Sequence, residues 1–219
     1  MTELKVNSIH GGFQWEGQNM GRHGLFVRLQ GCPNSCFNCP HGWAPGVISP
    51  SCDPIGEEVT VDQMLQKDGN TANTYAVLTP EQLMAIIWDL AEPANDVVIT
   101  GGEPVAQDLL EITALLVTND YDPIVHTGGE RPFEVYGGTH ISVRPRTRLT
   151  MPQALNVADE VIFIINDLSD LAWLDILMEH IDDTATEVFV QPRNPLALED
   201  LKAVAPMRGF RLSYSPFIK

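Results

Sequence analysis

Two hydrophobic periods alternate along the chain. Leu25-Phe-Val-Arg-Leu-Gln30 is rich in β-branched and aromatic residues and runs into Gly31, which predicts a strand over 25–30. Similar runs predict strands over 96–100, 122–127, 160–165, 187–191 and 210–214. Between them the period lengthens. Thr79-Pro80-Glu81-Gln82 combines a capping Thr, a Pro suited to the first helical position and a Gln where a capping box needs one. Leu83, Ile86, Ile87 and Leu90 then recur on one face, and Glu92-Pro93 closes that helix. Gly101-Gly102-Glu103-Pro104 turns into a second helix running through Val117. Leu171, Leu174, Leu177 and Met178 mark a third over 168–181, and a fourth covers 196–204. Residues 42–73 are rich in Pro, Gly, Ser and Asp and read mostly as loop, with a short helix near 61–66. Trp88, Trp173 and the Leu/Ile stripes are assigned to the core.

Strands alternating with helices imply a parallel sheet with right-handed crossovers, hence an α/β fold. Five or six such units fall short of an eight-unit barrel, so the expected architecture is a partial, abbreviated parallel β/α barrel. No repeat or linker divides the chain, and 1–219 is read as one domain.

Composition narrows the function. The 219 residues are 44% hydrophobic and 19% charged, the composition of a globular protein. Thirteen basic residues against 29 acidic ones leave a formal charge of -16, which excludes a general nucleic-acid binder. No apolar run approaches the roughly 18 residues that cross a bilayer, and residues 1–30 lack a signal-peptide core. A soluble, cytoplasmic protein without a membrane partner is expected.

Three of the four cysteines, Cys32, Cys36 and Cys39, crowd into Cys-Pro-Asn-Ser-Cys-Phe-Asn-Cys, while Cys52 stands apart as a spare thiol. Three thiolates at this spacing can converge on one centre from a single loop. A structural zinc site closed by His41 or Cys52 has the ligand types it needs. A four-iron cluster held by three thiolates would keep one iron open to another ligand. Thr100-Gly101-Gly102-Glu103-Pro104 tips the balance. Its glycines let backbone approach a ligand closely, and Glu103 offers a carboxylate at the carboxyl end of a parallel strand, where ligands of such sheets sit.

Together the two motifs resemble the radical S-adenosylmethionine (SAM) superfamily. That resemblance implies a [4Fe-4S] cluster on Cys32, Cys36 and Cys39 and SAM chelating the fourth iron. It implies a Gly101, Gly102, Glu103 turn holding the SAM amino group, and one-electron cleavage to a 5′-deoxyadenosyl radical. Asn38 stands where the superfamily usually has an aromatic residue against the adenine; Phe37 is one position early.

A closer resemblance covers most of the chain. Gln14-Trp-Glu16-Gly17, Gly21-Arg22, Phe26-Val27-Arg28-Leu29 and Gly31-Cys32 look like the opening of the 7-carboxy-7-deazaguanine synthase family. His126-Thr-Gly128, Pro145-Arg146, Val190-Gln-Pro192 and Arg211-Leu-Ser213 correspond loosely to later family elements. The resemblance implies ring contraction of 6-carboxytetrahydropterin to 7-carboxy-7-deazaguanine with release of ammonia, on the route to queuosine and related 7-deazaguanines. It implies a homodimer, a pterin-like small-molecule substrate and an external one-electron donor such as a flavodoxin. On the substrate side, Gln14 and Glu16 would hydrogen-bond the pterin amino and ring N–H groups. Arg28 would grip its carboxylate and Thr100 would add a hydroxyl contact.

Three departures from the family pattern stand out. Pro40-His41 replaces an Asp-Thr whose Thr helps hold a magnesium ion, and imidazole is a poor substitute for hard oxygen. Arg144-Pro145-Arg146 replaces a Ser-Pro-Lys implicated in SAM binding, so Arg144 is the position assigned to that cofactor. Pro216-Phe-Ile-Lys219 replaces a histidine region. A sibling acting on a related heterocycle, or a glycyl-radical enzyme activase sharing the Gly31-Cys32 start, are the alternatives; Gln14-x-Glu16-Gly17 speaks against the activase.

Overall fold

A computed structural model describes residues 2–33, 56–66, 74–90, 95–181, 185–193 and 195–213. The fold is α/β with mostly parallel strands, and the chain divides into two compact units.

The first unit comprises 1–12, 23–126 and 133–140. Its elements are β1 (Leu4–Phe13), β2 (His23–Leu29), β3 (Glu57–Glu58), α1 (Val61–Leu65), β4 (Thr74–Leu78), α2 (Pro80–Leu90), β5 (Asp96–Gly101), α3 (Leu110–Thr118) and β6 (Asp122–Thr127). The sheet order is β6-β5-β2-β1-β4-β3. β2, β5 and β6 run parallel, with Leu25 opposite Val97, Val27 opposite Ile99 and Val97 opposite Pro123. Alternation sorts each strand into two faces. Leu25, Val27, Leu29, Val97 and Ile99 join Leu83 and Ile87 of α2 and Ile112 and Leu116 of α3 in one buried core. Phe26, Arg28, Val98 and Thr100 therefore lie on the other face of the sheet.

The second unit comprises 13–22, 127–132 and 141–219. It holds β7 (His140–Val143), α4 (Pro152–Asn156), β8 (Glu160–Ile165), α5 (Leu171–Met178), β9 (Glu187–Pro192), α6 (Pro195–Val204) and β10 (Arg211–Leu212). β7, β8, β9 and β10 are parallel neighbours in that order. Phe163 of β8 is fully buried and meets Trp173 of α5 edge to face, ring centroids 4.7 Å apart.

The α2 capping box forms as expected. The Thr79 N–H donates to Gln82 Oε1 (2.9 Å) and the Gln82 N–H to Thr79 Oγ1 (3.3 Å). Several expectations need correction. β1, β4 and β7 were not foreseen, and β1 pairs antiparallel with β4. Asn7-Ser8 and Gly11-Gly12 break the alternation of β1. Asn7 is nonetheless fully buried, because its side-chain amide donates to Gln30 Oε1 (2.8 Å) and to the Thr74 carbonyl (3.1 Å). The helix expected after Glu103 is a 3-10 turn, Pro104–Ala106, with α3 starting only at Leu110. The segment 168–181 likewise opens with a 3-10 turn before α5. Trp88 is not core: the buried stripe of α2 is Pro80, Leu83, Met84 and Ile87, and Trp88 points away from it at 64% exposure.

Candidate active site

In the first unit the ends of β2 and β5 are tied together by backbone. Leu29 and Gly101 are register partners, as are Arg28 and Thr100. Beyond them the Gly102 N–H donates to the Leu29 carbonyl (3.3 Å) and the Glu103 N–H to the Gly31 carbonyl (3.1 Å). Gly101 has φ +139, and a Cβ there would lie 2.1 Å from the Leu29 carbonyl oxygen. Only glycine allows this approach. The turn therefore sets Glu103, 3% exposed, beside the strand end from which Cys32 departs half-buried.

That strand end is braced by side chains from elsewhere in the unit. The Gln107 amide donates to the Gln30 carbonyl (2.9 Å) and to the Lys5 carbonyl (3.3 Å), while Gln107 Oε1 accepts from the Lys5 N–H (2.8 Å). Gln30 in turn donates its N–H to the Lys5 carbonyl (2.8 Å) and accepts from Asn7. These contacts hold β1 against the last residues before the cysteine loop.

Arg28 and Thr100 share the sheet face away from α2 and α3, so a guanidinium and a hydroxyl stand side by side on adjacent strands. His10 stacks on Phe26, ring centroids 5.5 Å apart. Burial, and then the Arg28 charge, hold the His10 imidazole below its ordinary pKa. It therefore stays neutral at neutral pH and adds no second cation beside Arg28.

The second unit carries the Gln14–Glu16 segment. The loop is closed by the Gln14 N–H on the Arg22 carbonyl (2.9 Å) and the Gly21 N–H on the Gln14 carbonyl (2.8 Å). It is anchored by the Gly17 N–H on Ser213 Oγ (3.3 Å) and the Gln18 N–H on Glu160 Oε2 (2.7 Å). Gln14 is buried, and the flanking Phe13 and Trp15 are exposed. Glu16 forms an ion pair with Arg144 and accepts a hydrogen bond from the Gln191 amide (3.2 Å). The Arg144 guanidinium holds the Glu16 carboxyl below the usual carboxylate range. Burial opposes this, Arg146 and Gln191 add to it, and the Glu160 charge works against it.

Cys32, Arg28, Thr100, Gly101, Gly102 and Glu103 thus come together within the first unit, and Gln14, Glu16 and Arg144 belong to the second. Cys36, Cys39, Asn38, Pro40, His41 and Cys52 lie outside the described residues. Among the described residues no group of three or more His, Cys, Asp or Glu side chains forms a metal site, and no helix is long and apolar enough to cross a membrane. Gln107, Asn7 and Glu160 were missed as supports of the site. Their partners lie far away in sequence; Asn7 and Glu160 are buried polar residues of strands, whereas Gln107 sits in the turn after Glu103 and carries no such signal.

Cys32 leaving one parallel strand, with a glycine-forced Gly-Gly-Glu turn on its neighbour, is the arrangement of an enzyme of the radical SAM type. The comparisons agree. The 7-carboxy-7-deazaguanine synthase of Escherichia coli K12 is 30% identical over 198 residues, 87% of this chain and 85% of that protein. The protein of the same name from Buchnera aphidicola subsp. Schizaphis graminum is 26% identical over 212 residues, 95% of this chain and 94% of its own. The crystal structure of QueE from Escherichia coli superposes with a TM-score of 0.84 at 28% identity, covering 97% of this chain and 94% of that one. No protein-family model matches the chain. The chain belongs to the 7-carboxy-7-deazaguanine synthase family.

Proposed function

We propose that the protein is a radical SAM carbon–nitrogen lyase that converts 6-carboxytetrahydropterin to 7-carboxy-7-deazaguanine and releases ammonia, a step toward queuosine and related 7-deazaguanines. The observation that carries this reading is the 30% identity to a synthase of that name along 87% of the chain. The glycine-forced turn that sets Glu103 beside Cys32 supports it independently.

The residues present fit the implied cofactors. The Glu103 backbone is tied to Gly31, the residue before Cys32, and its buried carboxylate suits an ammonium group. Cys32, Cys36 and Cys39 would hold a [4Fe-4S] cluster, Glu103 with the Gly101-Gly102 backbone would hold the amino end of SAM, and Asn38 would lie against its adenine. When bound, these cofactors supply one electron and a hydrogen-abstracting radical at the substrate. The protein's own residues bind and orient. Arg28 would clamp the substrate carboxylate with its fork while Thr100, its register partner, adds a hydroxyl. Gln14 and Glu16 would accept hydrogen bonds from the pterin N–H edge, and the ionised state of Glu16 matters because a carboxylate only accepts, whereas a protonated carboxyl would bring a donor to that edge. Magnesium, the family's third component, fits less well, since imidazole at His41 replaces the hydroxyl and is a poor ligand for a hard cation. A single domain over 1–219, a homodimer, a flavodoxin-like electron donor and a cytoplasmic setting complete it.

The test is anaerobic incubation of the reconstituted protein with SAM, a reductant and carboxytetrahydropterin. Formation of 7-carboxy-7-deazaguanine with ammonia is expected. SAM cleavage without that product would overturn the substrate and leave a sibling acting on another heterocycle.

A further inference from the structure

Arg144 stands where the family pattern has a serine, and in this chain its side chain meets the substrate loop. We propose that Arg144 is a positioning residue for Glu16: with Gln191 on the other oxygen, it fixes the Glu16 carboxylate as an oriented acceptor that presents Oε1 and thereby sets the affinity for the pterin N–H edge. This rests on the reading of Glu16 as a substrate contact.

The loop backbone leaves little else to be fixed. Gln14, Gly17, Gln18 and Gly21 are each held by a backbone or side-chain partner. Gly17 takes φ +68, and a Cβ there would lie 2.2 Å from Glu160 Oε2. What remains free is the Glu16 side chain. Arg144 ion-pairs with Oε2 and Gln191 donates to Oε1, so both oxygens are located. Arg144 is itself placed by its N–H on the Thr127 carbonyl (2.7 Å), directly after β7, and Gln191 lies in β9. Oε2 is buried against Arg144, so Oε1, which already accepts from Gln191, is the oxygen left to take a substrate N–H.

Charge supports the same role. The charged groups acting on Glu16 are Arg144, Arg146 and Glu160. Without Arg144, burial and Glu160 push the carboxyl's pKa up, and only Arg146 and Gln191 remain to oppose them.

The test measures binding of pterin-6-carboxylate to the reconstituted holoenzyme, without SAM, by fluorescence titration across pH, with SAM affinity measured separately. Arg144→Ser is expected to weaken pterin binding by about tenfold at neutral pH, the scale of one lost charge-assisted contact, and to move the acid limb of binding to higher pH. Arg144→Lys is expected to keep the acid limb and lose part of the affinity, since it retains charge without the fork. If Arg144→Ser keeps both the affinity and the acid limb, or loses SAM affinity alone, the proposal is overturned. Should the serine variant fail to fold, an Arg144→Lys protein with wild-type pterin affinity overturns it equally. Glu16→Gln distinguishes the parent reading: unaltered pterin affinity there removes Glu16 as a substrate contact whatever Arg144 does.

Discussion

Single atoms decide the site at two glycines. At Gly101 an added methyl would meet the Leu29 backbone oxygen, which cannot move without breaking the β2–β5 pairing. The φ strain alone costs about 1–3 kcal/mol, and the clash adds to it. Gly101→Ala is expected to lose SAM cleavage and to lower the unfolding midpoint, measured by denaturant titration. At Gly17 the obstacle is instead the Glu160 side chain, which holds the Gln18 N–H. Gly17→Ala is expected to raise KM for the pterin while leaving SAM affinity intact. Glu16 gives a pH prediction. Its folded pKa lies below the unfolded value, so its contribution to stability is present above the unfolded pKa and is lost as pH falls through the folded one. The stability gap between the protein and Glu16→Gln should therefore be open at neutral pH and close in acid, as read from melts across pH. At this scale Gly101-Gly102-Glu103 was legible because the letters themselves demand a special backbone. Glu160 and Gln107 were not, because their partners sit 142 and 77 residues away in sequence.

Elements were legible where local chemistry and packing agree. α2 announces itself through Thr79 and Gln82 and through Leu83 and Ile87, and both signals are realised. Thr79→Ala is expected to cost about 1 kcal/mol, the usual worth of an N-cap, seen as a lower denaturant midpoint at constant m. Ile99 carries the core beneath the site at 1% exposure. Ile99→Ala should cost about 2–5 kcal/mol, more than any change at exposed Trp88. β1 stayed hidden because its burial includes an asparagine. The pattern of apolar letters reports transfer from water, and Asn7 is buried by hydrogen bonds to Gln30 and Thr74 instead. The antiparallel β1–β4 pair was lost with it, since alternating strands and helices imply only parallel neighbours.

For the whole molecule, the α/β class followed from the order of periods and the family from a resemblance of motifs; identity of 30% over 87% of the chain shows the family, and a TM-score of 0.84 the fold. The division into two units, with the Gln14–Glu16 loop grouped with the later strands, was not readable. Nothing in 13–22 announces that its partners are Arg144, Glu160, Gln191 and Ser213. The central claim is that three cysteines hold a cluster with an iron left for SAM. Electron paramagnetic resonance of the reduced, oxygen-free protein, with metal and sulfide analysis of the same sample, tests it most directly. The account predicts about four irons and four sulfides per chain and a cluster signal that shifts when SAM is added. One zinc per chain without iron, or a cluster signal indifferent to SAM, would contradict it.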